Sequence, residues 1–411
     1  MVSKKISVSV IVIVILIVAI VGGYYATLPP SMPQSMTTAT SGSMTTTAVA
    51  AAGPIKIGFF APLTGFAAAD GYSSLHGALL AVSDINDKGG LMGRQVELVY
   101  YDDALSADQA IAVVTKMIEQ DKVSFVISGS YTGTTLAVAP IVERYQIPMI
   151  AAYAVHPSIT ANKTWIFRVG LMGNTEGKAA GYAAVKMFNA SNVAILYDDI
   201  PFGVTLAQSA QLQVQKMGGH VVFYDKFDDS ETDFRPWLTK IATIPNLGAL
   251  IFLGYYYHAN AIIQAKQLGI KAQIIGAEGF DSPQLIDLAG DAANGVAWVS
   301  DLDRSSSSPE TQAFLTSYKA HTGIAPDMVG ASTYDAVMVA AQAISTAGSL
   351  DPTSIRNSLA GLQNYQGVTG EILQFTAGHN AIKPMTIQIV KNGQFTSYAA
   401  ITDPDIITPP S

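Results

Sequence analysis

The chain has 411 residues, with 31 acidic against 23 basic side chains and a net charge of −8 at neutral pH. It has no cysteine, which excludes disulfides, thiolate metal sites and cysteine nucleophiles. Its basic residues form no run beyond Lys4-Lys5, which argues against nucleic acid or an anionic membrane surface as a partner, because both demand clustered positive charge. Apolar residues are 49% of the chain, and the length predicts more than one core.

Lys4-Lys5 precedes an apolar run dominated by Ile and Val, Ile6 to Ala26. About 20 such residues span a bilayer of about 30 Å as a helix, which predicts a membrane anchor over 1–26 with the remainder exported. Residues 27–53 are rich in Pro, Ser, Thr, Met and Ala without charge and read as a flexible stalk. The sequons at Asn162 and Asn189 agree with export.

From Pro54 short β-branched runs alternate with segments of helical period. Strands are predicted at 55–60, 96–101, 124–127 and 148–151, with helix faces at Leu75–Ile85, Ala110–Ile118 and Leu136–Arg144. A second series has helices at 176–188, 204–217, 234–241 and 259–268 and strands at 193–197, 221–224, 249–253 and 273–275. Beyond Asp301 come three helices, near 309–321, 330–347 and 352–361, then two strands near 370–375 and 385–391 that read as antiparallel. Alternation of this kind predicts an α/β protein with two doubly wound lobes and a mixed tail. A ligand is expected between the lobes, where strand-end loops converge.

Three loops carry candidate chemistry. The run Ser128-Gly129-Ser130-Tyr131-Thr132-Gly133-Thr134-Thr135 opens a helix, so its N–H groups and hydroxyls suit an anion, or simply cap the helix. Gly254-Tyr255-Tyr256-Tyr257-His258 puts three tyrosines at a strand end, where at least one ring must face the cleft. His258 reads as a capping or surface residue rather than a metal ligand. Glu278 lies between Gly276 and Gly279 and either faces a ligand cation or is a solvated loop acid. The acid pairs Asp102-Asp103, Asp198-Asp199 and Asp228-Asp229 are explained by capping. No hydrolase, zinc or phosphate-loop motif occurs, so no enzyme, cofactor or metal is predicted.

The segment Pro62-Leu63-Thr64-Gly65 with Ala67-Ala68 and Gly71 resembles the opening loop of the branched-chain amino-acid (leucine/isoleucine/valine) binding proteins, a group of type I periplasmic binding proteins. Gly89-Gly90, Tyr101-Asp102-Asp103, Ile147-Pro148-Met149-Ile150, Gln264–Gly269, Tyr334-Asp335-Ala336 and Gly367-Val368-Thr369-Gly370 continue the resemblance, in order, to about residue 395. It implies a two-lobed clamp hinged near residues 170, 300 and 370. One lobe would hold 54–171 with 301–369 and the other 172–300 with 370–400, leaving 401–411 as a tail. Lobe closure would bury an amino acid or amide and present it to a permease driven by two ATPase subunits.

By position the resemblance makes Thr132 the carboxylate-binding hydroxyl and Glu278 the ammonium-binding acid. Tyr153 and Val155 follow the fourth strand, where the family contributes a backbone carbonyl and usually a Thr hydroxyl. Phe202 and Tyr255 or Tyr256 match the aromatic lid, and Asp70 stands where a Tyr is frequent. Tyr153 is larger than expected and Val155 has no hydroxyl, so the ligand range widens from aliphatic amino acids to amides, urea-like molecules and small aromatic acids. A sensing receptor of the same fold and an extracellular enzyme are the rival readings.

Overall fold

The computed structural model describes residues 53–410. The anchor expected at 1–26 and the stalk expected at 27–53 therefore lie, but for Gly53, outside the described residues. Among the described residues no helix is long and apolar enough to cross a membrane.

The first sheet contains β1 (Ile55–Ala61), β2 (Val96–Asp102), β3 (Phe125–Ser128), β4 (Met149–Ala151) and β5 (Ile166–Arg168). Its order is 2-1-3-4-5 and every pair is parallel. The crossovers are α1 (Ala68–Asp87), α2 (Ala107–Lys116) and α3 (Thr132–Tyr145). Successive strand residues point to opposite faces, so Ile55, Ile57 and Phe59 enter one core while Phe60 joins Val114, Val138 and Val142 in another. That double burial explains the near-continuous apolar strands.

The second series is α4 (Gly173–Tyr182), β6 (Asn192–Asp198), α5 (Pro201–Lys216), β7 (His220–Phe227) and α6 (Arg235–Ala242). It continues through β8 (Leu247–Leu253), α7 (Ala259–Gln267), β9 (Gln273–Gly276), α8 (Gln284–Ala289) and β10 (Ala297–Ser300). Val193 and Ile195 of β6 face one core and Ala194 and Leu196 the other.

The chain then returns to the first core through α9 (Pro309–Thr322), α10 (Met328–Ala347) and α11 (Pro352–Ala360). A three-stranded sheet follows, with β11 (Gln363–Gly367), β12 (Gly370–Phe375) and β13 (Ala381–Ile382). Last come β14 (Met385–Lys391), β15 (Gln394–Ile401) and α12 (Pro404–Ile407). The second sheet is ordered 15-14-10-9-8-6-7, with β14 antiparallel to both β10 and β15.

The two late strands do not pair with each other as their pattern suggested. Gly370, at φ +98°, makes a tight turn that folds β12 onto β11, and Asp335 holds it by accepting the Val368 and Thr369 N–H groups at 2.8 and 2.9 Å. Ile372, Phe375 and Ala381 accordingly pack in the first core, whereas Met385 packs in the second. The third passage between the two bodies thus lies between Ala381 and Met385, later than residue 370. The other two fall between Val169 and Leu171 and between Val299 and Leu302. At the third, Lys383 is buried and ion-paired to buried Asp301 at 3.0 Å.

Candidate functional site

Each sheet has one place where crossovers leave in opposite directions: between β1 and β3 in the first, between β6 and β8 in the second. Crevices form at such points beyond the carboxyl ends of the strands. Loops from both points meet here. Asp70 follows β1, Tyr131 and Thr132 follow β3, Phe202 follows β6 and Tyr255 follows β8. With Tyr153, Val155, Glu278, Met328 and Val329 they line one cavity.

Seven of the eight residues expected from the sequence are in that lining: Tyr131, Thr132, Tyr153, Val155, Phe202, Tyr255 and Glu278. Tyr256 is not. Its ring packs in the core on the far side of the second sheet, and its buried hydroxyl has no partner. Of the two alternatives Tyr255 and Tyr256, it is Tyr255 that lines the cavity.

Thr132 is the first residue of α3, and Tyr131 precedes it without a side-chain cap. The neighbouring hydroxyls are spent on one another, Ser128 with Thr135 and Ser130 with Thr134, each at 2.7 Å. Thr132 is the hydroxyl of this run that lines the cavity, beside the helix N-terminus. Tyr153 directs its hydroxyl away, donating to the Gly129 carbonyl at 2.6 Å, and meets Tyr131 edge-on. The Val155 carbonyl already accepts from Arg168 Nη1 at 3.0 Å and from the Gly173 N–H at 2.9 Å.

Glu278 is buried at the start of a short 3-10 turn, and its Oε2 has no partner. Gly279 allows this loop to approach the one after β8: a Cβ there would come within 2.6 Å of the Gly254 carbonyl. The Glu278 N–H donates to Glu176 Oε1 at 2.6 Å. Burial, reinforced by Glu176 and Asp301, pushes the Glu278 carboxyl well above the usual range, with Arg168 opposing. Burial likewise raises Glu176 to about 8, although the Glu278 N–H holds it down. Arg168, fully buried, is lowered to about 9 by desolvation, and the charge of Glu278 counters that. The Arg168 guanidinium is itself spent on the Val155 and His156 carbonyls, so a cation arriving in the cavity would satisfy the unpartnered Glu278 oxygen.

The sequence reading left Asp70 out of the site. Its carboxylate lines the cavity and accepts the Tyr131 hydroxyl at 2.6 Å. Burial and the nearby Asp327 raise it to about 7, against the Tyr131 hydrogen bond. Met328 and Val329 were also missed, because they arrive on α10 more than 170 residues after Val155 in the chain. Asp281 fixes that arrangement. It accepts the Met328 N–H at 3.1 Å and Trp298 Nε1 at 2.9 Å while paired with Arg304. Burial would raise Asp281, but Arg304, together with hydrogen bonds from Trp298 and Ser300, holds it below its ordinary value.

A sequence profile described as "Periplasmic binding protein" matches residues 54–394. The chain belongs to that family. Among periplasmic binding proteins it is 31% identical over 312 residues to the leucine-, isoleucine-, valine-, threonine- and alanine-binding protein of Pseudomonas aeruginosa, covering 75% of this chain and 83% of that one. It is 31% identical over 250 residues to the Leu/Ile/Val-binding protein of Escherichia coli K12, covering 60% and 68%. A leucine-binding protein from Thermotoga maritima superposes with a TM-score of 0.79 at 29% identity, over 85% of this chain and 99% of that one. A branched-chain amino-acid binding protein of Streptococcus pneumoniae, solved with isoleucine, gives 0.78 at 29%, over 84% and 98%. Periplasmic binding proteins work outside the cytoplasm, and the α/β architecture described above is the type I fold of these neighbours.

Proposed function

We propose that this chain is the extracytoplasmic capture component of an ABC importer and that it closes on an α-amino acid, with the branched-chain ones first. The observation that carries the reading is the pairing within one cavity of Thr132 at a helix N-terminus with the unpartnered Glu278 carboxyl. The first suits a carboxylate and the second an ammonium group. The names of the relatives, which bind leucine, isoleucine and valine, support the same ligand class.

The cavity is tight. Only about 20 Å³ is open to water-sized spheres, about one water's worth of room. Entry of an amino acid thus requires the two bodies to part and the Tyr131 and Tyr255 rings to shift, which makes capture a closing motion rather than docking into a fixed hole. Asp70 gives the cavity a second carboxyl, which favours a ligand with a further hydrogen-bond donor, such as threonine or an amide, over an aromatic acid. Delivery would be to a permease with ATPase subunits, from a position tethered by the apolar run 6–26 and the stalk. A thermal-shift panel of amino acids, amides, urea and aromatic acids tests the reading. Ligand at 100 times its Kd adds about 2.7 kcal/mol. A shift with leucine, isoleucine, valine or threonine supports it, and no shift with any α-amino acid defeats it.

A further inference from the structure

Two sequence motifs have no part in the clamp. Asn162 and Asn189 each open an Asn-x-Ser/Thr triplet, with Thr164 and Ser191 two residues on. Both asparagines are exposed and both have a left-handed backbone, with φ of 56° and 53°. That conformation by itself selects asparagine at a turn. It does not select the hydroxyl. Asn246, Asn364 and Asn392 turn the chain in the same way, and Gly248, Gln366 and Gln394 follow them at the second position. Thr164 and Ser191 serve the fold through their main chain. Thr164 donates its N–H to Glu143 at 3.0 Å, and the Ser191 carbonyl accepts the His220 N–H at 2.7 Å. Among the described residues neither hydroxyl is hydrogen-bonded.

The two triplets occupy corresponding places in the two bodies. Asn162 lies just before β5 and Asn189 just before β6, at the amino ends of strands in parallel register with their neighbours. The cavity lies beyond the carboxyl ends, so both asparagines mark the opposite end of the molecule. Each turn is pinned. Glu143 also accepts the Trp165 N–H, at 2.7 Å, and the Phe188 and Ala190 N–H groups on either side of Asn189 donate to Ala183 and Ala184 at 3.0 and 2.9 Å. Beside Asn189 the surface is apolar and uncovered. Phe188 stacks on Tyr398 with centroids 4.9 Å apart, and Tyr398 is still 42% exposed. A sugar ring has an apolar C–H face and a hydroxyl rim, which suits a half-exposed tyrosine with its apolar body and polar tip.

We propose that Asn162 and Asn189 are N-glycosylation sites, each carrying an oligosaccharide on the side of the molecule away from the cleft, with the first sugar on Asn189 packed against Tyr398. In the transfer, the carboxamide Nδ2 forms a bond to the anomeric carbon of a lipid-diphosphate-linked oligosaccharide. The bond from that carbon to the phosphate oxygen breaks, the lipid diphosphate leaves with the electron pair, and one amide proton passes to a base of the membrane-bound transferase. No oxidant or reductant enters. The modification rests on export of the chain and not on which ligand the cleft holds.

The test is mass spectrometry of the full chain purified from its own cells. The intact mass is expected to exceed that of the polypeptide, with sugar masses on the peptides that hold Asn162 and Asn189. Thr164→Ala and Ser191→Ala, made in the same cells, keep both left-handed asparagines and should each strip the sugar from one site. Calorimetry should find leucine binding the same in these variants as in the parent. Bare asparagines in the protein from its own cells would overturn the proposal, and so would sugars that persist on Asn162 and Asn189 in the two variants. Loss of leucine binding on enzymatic deglycosylation would contradict the placement away from the cleft. A chain that bears the sugars but binds no leucine would support this proposal and overturn the ligand reading alone.

Discussion

The rings of Tyr131 and Tyr255, which belong to different bodies, lie 5.0 Å apart and within 5° of parallel. Tyr255 also stacks on Phe202 at 4.7 Å, and Tyr131 is fixed from behind by its hydroxyl bond to Asp70. The contact that closes the cleft is thus a ring pair whose partners are each locked within their own body.

Removing one ring should uncouple the bodies. Tyr255→Ala is expected to weaken amino-acid binding at least tenfold, about 1.4 kcal/mol, and to enlarge the radius of gyration of the unliganded protein in small-angle scattering. Tyr255→Phe keeps the stack and should do neither. An unchanged radius in Tyr255→Ala would show that closure does not rest on this pair.

Binding of an ammonium ligand should release a proton. Glu278 is held above the usual carboxylate range by burial and by Glu176, so a ligand cation that favours its ionised form lowers its pKa. Calorimetry in buffers of different ionisation enthalpy should show net proton release at neutral pH, and affinity should rise with pH. Proton uptake on binding would contradict the assignment.

Glu176 should also shape stability. Its folded-state value of about 8 lies above the ordinary 4.5, so the unfolded chain gives up this proton first as pH rises. The stabilisation it contributes is full below pH 4.5 and fades as pH climbs through 8. Melting curves of the unliganded protein and Glu176→Gln should therefore converge at low pH and diverge in favour of the variant toward pH 8. A constant difference would remove Glu176 as the cause.

Arg304→Ala should be costly because it strands Asp281. That carboxylate is fully buried and bridges Arg304, Trp298 and the Met328 N–H that carries part of the cavity wall. Leaving a buried charge without its partner costs about 3 kcal/mol, readable in urea unfolding. Adding Asp281→Asn to Arg304→Ala should recover part of the loss, because the stranded charge is then gone. No recovery would mean that Arg304 acts through its packing over Phe395 instead.

The alternation of strands and helices was legible because both sheets are buried on two faces, which writes each strand as an apolar run. Three-residue β5 and two-residue β13 left no period to read. The strand-end loops named most of the cavity from sequence, since switch-point geometry follows from strand order. Asp70 was noted only as standing where a Tyr is frequent and was not placed in the site, because tertiary packing, not local sequence, turns this first-turn acid inward. Tyr255 and Tyr256 stayed alternatives because three adjacent aromatic residues give no phase. His258 settles it: by accepting the Tyr255 N–H it caps the turn that swings Tyr255 to the cleft and Tyr256 to the core.

The central claim is that Thr132 and Glu278 hold the two ends of an α-amino acid. Leucine titrated calorimetrically into the wild-type chain, Thr132→Val and Glu278→Gln tests it most directly. Binding to the wild type should weaken at least about 30-fold in Glu278→Gln, the cost of about 2 kcal/mol for an unpaired buried ammonium, and by a smaller factor in Thr132→Val. Equal leucine affinity in all three proteins would contradict the account.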